Sequence, residues 1–308
     1  MIMNISRRAF LTMSGASLAI AGAAADRRRK PRFPLSFSTL GCPAWSWSTI
    51  LDTAAREGYA AIELRGLEGT MDLPSHPAFA PGRIASCLAD LDALELRLVS
   101  VDSSVAFHTV DAGERSRAVD DGQRHIELAH RLRAPYVRVF GDKVPPGDSR
   151  PATISRIVDG LRTLSAAARG SGVTVLIESH GDFTDAQSLR TILTEAPEAA
   201  LLWDAHNTLV GSAEPVARTF AEIGRFVRHT HLKDSRSIDG GRRYVLTGLG
   251  TVPIRETIEL LARAGYAGYY GFEWEKAWHP EIEEPEVALP HYARVMREWL
   301  EAAGVRPR

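Results

Sequence analysis

The chain has 308 residues, of which 44% are hydrophobic, and this is enough for one large domain with a sizeable core. Lys and Arg number 37 against 38 Asp and Glu, so the formal net charge is -1 and no overall positive field exists to attract DNA or RNA. We therefore expect no nucleic-acid partner. The two cysteines, Cys42 and Cys87, are too few for a disulfide framework or a thiolate metal site.

The amino terminus has the layout of a twin-arginine signal. The sequence SRRAFL at residues 6–11 precedes a stretch rich in Ala, Gly and Ser that is shorter than the ~20 residues of a membrane-spanning helix. We predict a signal peptide at residues 1–25, a basic linker at 26–32 and a barrel domain at 33–308. This predicts the twin-arginine translocation machinery as a partner, a periplasmic or secreted mature protein, and no stable membrane anchor.

After residue 32, short runs of apolar and β-branched residues alternate with stretches that show helical spacing, which is typical of βα units. Asp111 and Glu114 have the spacing of a capping box at the start of one such helix. The eight strand-like runs are Leu35–Leu40, Ala60–Arg65, Leu96–Asp102, Tyr136–Gly141, Val173–Ser179, Ala200–Asp204, Phe226–Leu232 and Ala267–Trp274. Eight βα units predict an α/β fold, a (β/α)8 TIM barrel, with a doubly wound open sheet as the alternative.

Two connections are long enough to shape a pocket. Residues 66–83 contain several prolines and glycines and are predicted to form a loop over the mouth of the barrel. Residues 233–250 contain Gly240, Gly241, Gly248 and Gly250 and are predicted to form a second loop on the same face. Long βα loops usually build the substrate pocket of a barrel.

The last four predicted strands each end in a side chain that can bind a metal. They are Glu178 in VLIESH, Asp204 in LLWDAHN, His231 in VRHTHLKD and Glu273 in YYGFEWE. The carboxyl ends of parallel strands open on one side, so these four side chains are expected to converge. Three carboxylates and one imidazole suit one divalent ion, with Mn²⁺ favoured and Mg²⁺, Co²⁺ or Zn²⁺ as alternatives.

The sequence resembles the xylose isomerase-like barrels, which include sugar-phosphate isomerases and ketose 3-epimerases. The resemblance covers residue 33 to the carboxyl end. It rests on IESHGDFTD, LLWDAHN, HTHLKD, the turn at residues 248–252 and AGYAGYYGFEWE, in that order and spacing. It implies a β/α barrel with one divalent ion held by Glu, Asp, His and Glu, which correspond by motif to Glu178, Asp204, His231 and Glu273.

Proton transfer next to a carbonyl requires a base and a Lewis acid that stabilises the enediolate oxygens. Glu178 and Glu273 are the candidate catalytic carboxylates, one to remove the proton and one to return it. His229 shares strand parity with His231, and Glu275 shares it with Glu273, so each is a rival ligand. Asp204 could instead cap the helix that follows it.

Further polar side chains are candidates for substrate binding. His180, His206 and Lys233 each follow a predicted ligand by two residues and so share its face. Glu63, Arg138 and His108 lie at or near the ends of earlier strands, where a structural ion pair is an equally good interpretation. Four tryptophans could form aromatic walls for a sugar ring or belong to the core; they are Trp45, Trp47, Trp274 and Trp278.

The leading hypothesis is a metal-dependent isomerase or epimerase whose partner is a small carbohydrate, and the protein could form a homo-oligomer. Elimination from a 3-keto glycoside by a lyase begins with the same proton loss and is the alternative. An endonuclease IV-like activity would need a His three residues after Asp204, where Asn207 stands, and an Asp-x-His pair where residues 244–246 read YVL. A non-catalytic sugar-binding barrel is disfavoured because all four ligand positions carry residues that can bind a metal.

Overall fold

The computed structural model describes residues 31–308. Eight parallel strands form a closed barrel in which each strand pairs with its predecessor and the last pairs with the first. These strands are β1 (Leu35–Ser38), β2 (Ala61–Leu64), β3 (Arg97–Ala106), β4 (Tyr136–Phe140), β5 (Thr174–Glu178), β6 (Ala200–Asp204), β7 (Val227–Leu232) and β10 (Tyr270–Phe272). The (β/α)8 prediction is confirmed, because the pairing of Leu35 with Tyr270 closes the sheet and excludes an open, doubly wound arrangement.

Helices follow the strands and bury one face against the barrel. In α8, for example, Ile254, Ile258 and Leu261 are buried at the three- and four-residue spacing of one helical face. The helices are α1 (Trp47–Arg56), α2 (Ile84–Ala93), α3 (Ala112–Arg131), α4 (Arg150–Ala167), α5 (Ala186–Glu195), α6 (Ala205–Ser212), α7 (Val216–Ile223), α8 (Ile254–Arg263) and α9 (Pro285–Ala302).

At the start of α3, one of the two hydrogen bonds of the predicted capping box is present. The Asp111 carboxylate accepts a 2.6 Å hydrogen bond from the backbone N–H of Glu114, as an N-cap residue does. The Glu114 carboxylate accepts from the Thr109 hydroxyl at 2.6 Å instead of the Asp111 backbone. The predicted helix start is therefore confirmed, with a different partner for the glutamate.

The second predicted loop, residues 233–250, contains an antiparallel hairpin that the sequence analysis missed. Its strands are β8 (Asp234–Ile238) and β9 (Gly241–Val245). Asp239 and Gly240 connect them, and Gly240 adopts a φ of +83°, which only glycine adopts without strain. An Asp-Gly pair between two short runs is a hairpin signal that the composition of this segment obscured.

The first predicted loop packs against the body of the protein. Residues 66–83 form three short 3-10 helices, Leu73–Ser75, Pro77–Phe79 and Pro81–Arg83, and the side chains of Leu73 and Phe79 are buried. Arg124 of α3 donates a 2.8 Å hydrogen bond to Asp72. These contacts hold the segment against α3.

Strand parity determines what fills the barrel. In β5 and β6 the inward-facing side chains change character along the strand. Leu176 and Leu202 are apolar, whereas Glu178 and Asp204, at the carboxyl ends, are acidic. The lower interior is therefore apolar at this wall and the upper interior is polar. The barrel scaffold thus places ionisable side chains in a buried layer below its open end.

Residues 1–30 lie outside the described part of the chain, and with them lies the proposed signal peptide. Within residues 31–308, no helix is long and apolar enough to cross a membrane.

Candidate metal centre

Four side chains from four strands converge at the carboxyl end of the barrel. One ligand atom from each of Glu178, Asp204, His231 and Glu273 lies within 4.8 Å of the others, and all four residues are buried. Glu178 and Asp204 end β5 and β6, His231 is the penultimate residue of β7, and Glu273 directly follows β10. We call these four residues the ligand group.

His231 stands at the centre of the ligand group. Its Nδ1 lies 3.3 Å from Oε1 of Glu178 and 3.3 Å from Oε1 of Glu273. Its Nε2 faces the opposite way, toward Glu63. One ring nitrogen thus belongs to the ligand group, while the other belongs to a deeper network.

Two cations hold the outer oxygens of the carboxylates. Arg138 Nε lies 3.1 Å from Oε2 of Glu178, and the same guanidinium donates to Asp102 at 3.1 Å. Lys233 Nζ lies 2.7 Å from Oδ2 of Asp204 and donates to Oε2 of Glu273. Glu178 and Glu273 therefore each direct Oε1 toward His231 and have a cation at Oε2, while Asp204 has Lys233 at Oδ2.

The charges in this layer shift the protonation of its members. Burial favours the neutral form of Glu273, yet the adjacent charges of His231 and Lys233 hold its pKa well below the ordinary value. Burial raises the pKa of Asp204 to about 6 despite Lys233. Burial opposes protonation of His231, but Glu273, Glu63 and Glu178 raise its pKa well above the ordinary value. The carboxylates beside cations are ionised and available as ligands.

The donor set fits one divalent ion. Opposite ligands of a hard cation lie roughly 4–5 Å apart, and the four ligand atoms lie within 4.8 Å of one another, close enough to share one ion. Glu178 Oε2 and Asp204 Oδ2, which lie beside Arg138 and Lys233, are buried in these ion pairs and form no hydrogen bond of good geometry. Asp204 also caps α6, since its Oδ1 accepts from the backbone N–H of Asn207 at 2.9 Å, so the helix-cap and ligand interpretations are compatible.

The two rival ligands have other partners. His229 lies outside the ligand group; its Nε2 donates to Glu63 at 2.8 Å, and with Glu63 and His231 it forms a second buried group that could hold an ion. Glu275 accepts from Lys233 Nζ at 2.6 Å and is also outside the group. The structure thus brings together the four residues preferred from the sequence. His229 lies deeper in the barrel beside Glu63, and Glu275 is connected to the ligand group through Lys233.

The predicted substrate-binding residues are spread over two environments. Glu63, Arg138 and Lys233 are at most 2% exposed and contact members of the ligand group. His180 and His108 lie nearer the surface, with Nδ1 atoms 3.9 and 3.6 Å from the Asp142 carboxylate. Their assignment as substrate contacts stays a prediction.

His206 lies between these environments and lines the open cleft beside the ligand group. It is 4% exposed, and its Nε2 lies 2.8 Å from Ser235 Oγ. Burial and the charge of Lys233 lower the pKa of His206 to about 3, so its ring is neutral at physiological pH. A neutral ring at this position can donate or accept a hydrogen bond with a substrate hydroxyl.

The tryptophans divide between core and surface. Trp274 is fully buried and donates from Nε1 to the Glu283 carbonyl at 2.9 Å. Trp45 and Trp47 are partly buried and pack on the core, Trp47 edge-on to Phe79. Trp278 is 56% exposed. The core interpretation therefore fits three of the four.

Sequence reasoning missed Asp102, which belongs to the same network as Arg138. It ends the third predicted strand, so the rule that selected the four ligands would also have selected it. Tyr244 and Arg242 were missed too, because they reach the site only through the hairpin β8–β9.

Comparison with known proteins connects this arrangement to a family. A family model described as "Xylose isomerase-like TIM barrel" matches residues 51–302. No curated protein matches the chain.

Solved structures share the fold at low sequence identity. A probable 3-DHS dehydratase from Bacillus anthracis has a TM-score of 0.69 at 17% identity, covering 85% of this chain and 98% of that one. A D-psicose 3-epimerase with D-tagatose from Clostridium cellulolyticum has a TM-score of 0.69 at 14% identity, with coverage of 88% and 99%. A xylose isomerase-like TIM barrel protein from Mycobacterium smegmatis in complex with magnesium has a TM-score of 0.65 at 17% identity, with coverage of 88% and 96%. At these identities the similarity shows the shared fold.

Proposed function

Since the chain belongs to the xylose isomerase-like TIM barrel family, we propose that it is a divalent-metal-dependent isomerase or epimerase that acts on a carbohydrate. The observation that supports this most is the convergence of Glu178, Asp204, His231 and Glu273 within 4.8 Å in a buried layer. A divalent ion held there would act as a Lewis acid on a carbonyl oxygen and the neighbouring hydroxyl oxygen. The oxygen-rich donor set favours Mn²⁺, with Mg²⁺, Co²⁺ and Zn²⁺ as alternatives.

The arrangement of the two glutamates of the ligand group supports a role in proton transfer. Glu178 and Glu273 approach His231 Nδ1 from two different strands, each at 3.3 Å. Arg138 and Lys233 hold their outer oxygens, so each carboxylate has a fixed orientation. One glutamate would take a proton from the carbon next to the carbonyl, and the other would return one from its own side. Return to the same carbon gives epimerisation, and return to the neighbouring carbon gives isomerisation.

The phenol of Tyr244, which lies near Lys233, supports a lyase as the second candidate. Lys233 Nζ lies 5.9 Å from the centroid of the Tyr244 ring, and Tyr244 lines the cleft. Burial raises the pKa of the Tyr244 phenol, so it stays protonated and can donate to a departing hydroxyl. Loss of that hydroxyl after the same first step would give dehydration, and a probable dehydratase is among the proteins that share the fold.

Deuterium incorporation tests the proposed first step. The Mn²⁺-loaded protein is incubated in D₂O with a panel of ketoses and 3-keto glycosides, and NMR identifies the carbon that gains deuterium. We expect exchange at one carbon next to the carbonyl, and we expect Glu178→Gln and Glu273→Gln to abolish it. Glu259→Gln, which alters an exposed carboxylate paired with Arg263 on α8, is the matched control.

Each outcome of this experiment has a clear interpretation. Exchange with a rearranged sugar identifies an isomerase or epimerase, and exchange with loss of water identifies the lyase. Absence of exchange on every compound, or exchange that persists in Glu178→Gln, would refute proton transfer by this group.

From the sequence we also propose export by the twin-arginine route to the periplasm, with cleavage near residue 25. Amino-terminal sequencing of the protein recovered from the periplasm tests this, and a mature chain that begins at Met1 would contradict it.

A further inference from the structure

A cleft of 370 Å³ is lined in part by Asn207, whose backbone N–H donates to Asp204 of the ligand group at 2.9 Å. Its polar lining consists mainly of groups that can donate a hydrogen bond: His180, His206, Asn207, Arg242, Tyr244 and His279. Within the described part of the chain, no Asp or Glu lines it. The cleft therefore presents donors to a ligand, while the carboxylates lie below it in the ligand group.

Arg242 is the one lining residue with a permanent charge. It lies on β9 and donates from Nη1 to Ser235 Oγ at 2.9 Å. The same Ser235 oxygen lies 2.8 Å from Nε2 of His206, so the arginine is tied to the wall of the cleft through one hydroxyl. Among residues 31–308, no carboxylate forms an ion pair with Arg242. Its charge is therefore available to a ligand.

The hairpin orients Arg242 toward the cleft. In the register of β8 and β9, Ser235 pairs with Tyr244 and Ser237 with Arg242. Neighbouring residues on a strand face opposite ways, so Arg242 and Tyr244 share one face and Arg243 lies on the other. Tyr244 also contacts the rings of His206 and His279, at centroid distances of 5.4 and 4.9 Å. This packing fixes the face that carries Arg242.

The two cations at the ligand group, Arg138 and Lys233, are already paired with carboxylates. Lys233 contacts three carboxylates, those of Asp204, Glu273 and Glu275. It therefore adds little net charge to the cleft, and Arg242 supplies the charge that selects a ligand. A guanidinium matches carboxylate and phosphate oxygens with paired N–H donors, which a neutral hydroxyl cannot exploit as fully.

We propose that this cleft binds an anionic group of the substrate, with Arg242 as its charged partner. The substrate class is then an acidic carbohydrate, either a keto sugar acid or a keto sugar phosphate, whose carbonyl end reaches the ligand group. This inference rests on the proposed function, because it assigns the second end of the same substrate.

Matched pairs of sugars test the inference by binding alone. Isothermal titration of the Mn²⁺-loaded protein compares D-fructuronate with D-fructose and D-tagaturonate with D-tagatose, and the 6-phosphates of both ketoses form the phosphate arm. We expect at least one anionic sugar to bind about tenfold or more tightly than its neutral partner, the order expected for a charge-assisted arginine contact. If the sugar acids gain more affinity over the neutral sugars than the 6-phosphates do, the cleft prefers a carboxylate, and the reverse result indicates a phosphate.

Two arginine variants separate direct contact from general charge. Arg242→Met should reduce the affinity for the anionic sugar to that of the neutral sugar, and Arg242→Lys should restore part of it. Arg243→Met removes the same charge one residue away on the opposite face, and it should leave the preference intact. Equal binding of anionic and neutral sugars, no binding of any anionic sugar, or an equal loss in Arg243→Met would overturn the inference.

The two proposals fail in different ways. If the anionic sugar binds through Arg242 but no compound exchanges deuterium, the assignment of the cleft stands and the proposed reaction falls. If a neutral ketose exchanges deuterium and no anionic sugar is preferred, the reaction stands and the assignment of the cleft falls.

Discussion

Both carboxylate oxygens of Glu63 lie within hydrogen-bond distance of His231 Nε2, at 3.0 and 2.9 Å. Glu63 is on β2 and His231 on β7, so the contact crosses the interior of the barrel. If an ion replaced the proton on His231 Nδ1, the remaining ring proton would lie on Nε2 and be shared with Glu63. A carboxylate behind a ligating histidine fixes its tautomer and raises its basicity. Glu63 therefore acts as a positioning residue for His231 in this arrangement.

The first prediction concerns this carboxylate. Glu63→Gln keeps the shape but replaces one acceptor oxygen with an amide donor, so the His231 ring loses its fixed orientation. We expect affinity for the metal to fall by about 10–100-fold, the usual effect of losing such a partner. Titration calorimetry of chelator-treated protein measures the affinity, and the visible spectrum of the Co²⁺ form reports the changed ligand geometry.

The matched control is Glu68→Gln, which alters an exposed carboxylate 3.5 Å from the buried His76. It should bind the metal as the wild type does. An unchanged affinity and spectrum in Glu63→Gln would show that the contact is only structural.

The second prediction concerns metal removal. An ion that binds only the folded protein stabilises it by about 2.7 kcal/mol when its concentration is a hundredfold above Kd. Addition of Mn²⁺ to chelator-treated protein should therefore raise the melting temperature, and His231→Ala should eliminate this rise. His130, near the end of α3, forms a hydrogen bond with the Ser171 carbonyl, and His130→Ala should keep the rise in melting temperature. A rise of the same size in His231→Ala would place the ion elsewhere.

The third prediction is a pH dependence that originates at Asp102. Burial, together with the charge of Glu63, raises the pKa of Asp102 to about 7, and Arg138 opposes this only in part because it also holds Glu178. The unfolded chain ionises this carboxyl near its ordinary value of 3.8. The folded state therefore loses stability as pH rises from about 4 to about 7, and Asp102→Asn removes this loss.

Urea unfolding of both proteins across this pH range measures the effect. The stability of wild type minus that of Asp102→Asn should decrease as pH rises, by a few kcal/mol at most. Asp92→Asn, at the surface, provides the reference for the same change in solvent. A difference that grows with pH would mean that the pair with Arg138 dominates and that the carboxyl is stabilised as an anion.

The sequence was sufficient to predict the fold and the convergence of four side chains, because both follow from local periodicity. Strand parity gives the inward residues, and parallel strands bring their carboxyl ends together, so Glu178, Asp204, His231 and Glu273 could be selected strand by strand. The order of the motifs then identified the family. These signals do not depend on which strand faces which across the barrel.

The contacts across the barrel could not be predicted for the same reason. Whether Glu63 meets His231, or Arg138 meets Glu178, depends on the tilt of the strands and the depth of each residue after closure, which no local pattern encodes. The hairpin could not be predicted for a different reason. Its strands, β8 and β9, are polar and short, so their alternation was hidden among glycines and arginines.

The fourth prediction concerns a close contact in the core outside the site. Gly160 lies in the middle of α4, and a Cβ built there would lie 2.3 to 2.6 Å from three atoms of the Phe107 ring. Phe107 is fully buried, so the ring cannot move into solvent. Gly160→Ala should therefore destabilise the protein by roughly 1–3 kcal/mol, although alanine favours a helix over glycine.

Urea unfolding compares this variant with Gly82→Ala, where no atom lies within 4 Å of the added Cβ. The control should change stability by less than about 0.5 kcal/mol. If the loss comes from the Phe107 ring, Phe107→Leu should cost less in Gly160→Ala than in the wild type, because the smaller side chain leaves room for the methyl group. Additive losses in the double variant would show that the backbone of α4, and not the ring, limits residue 160.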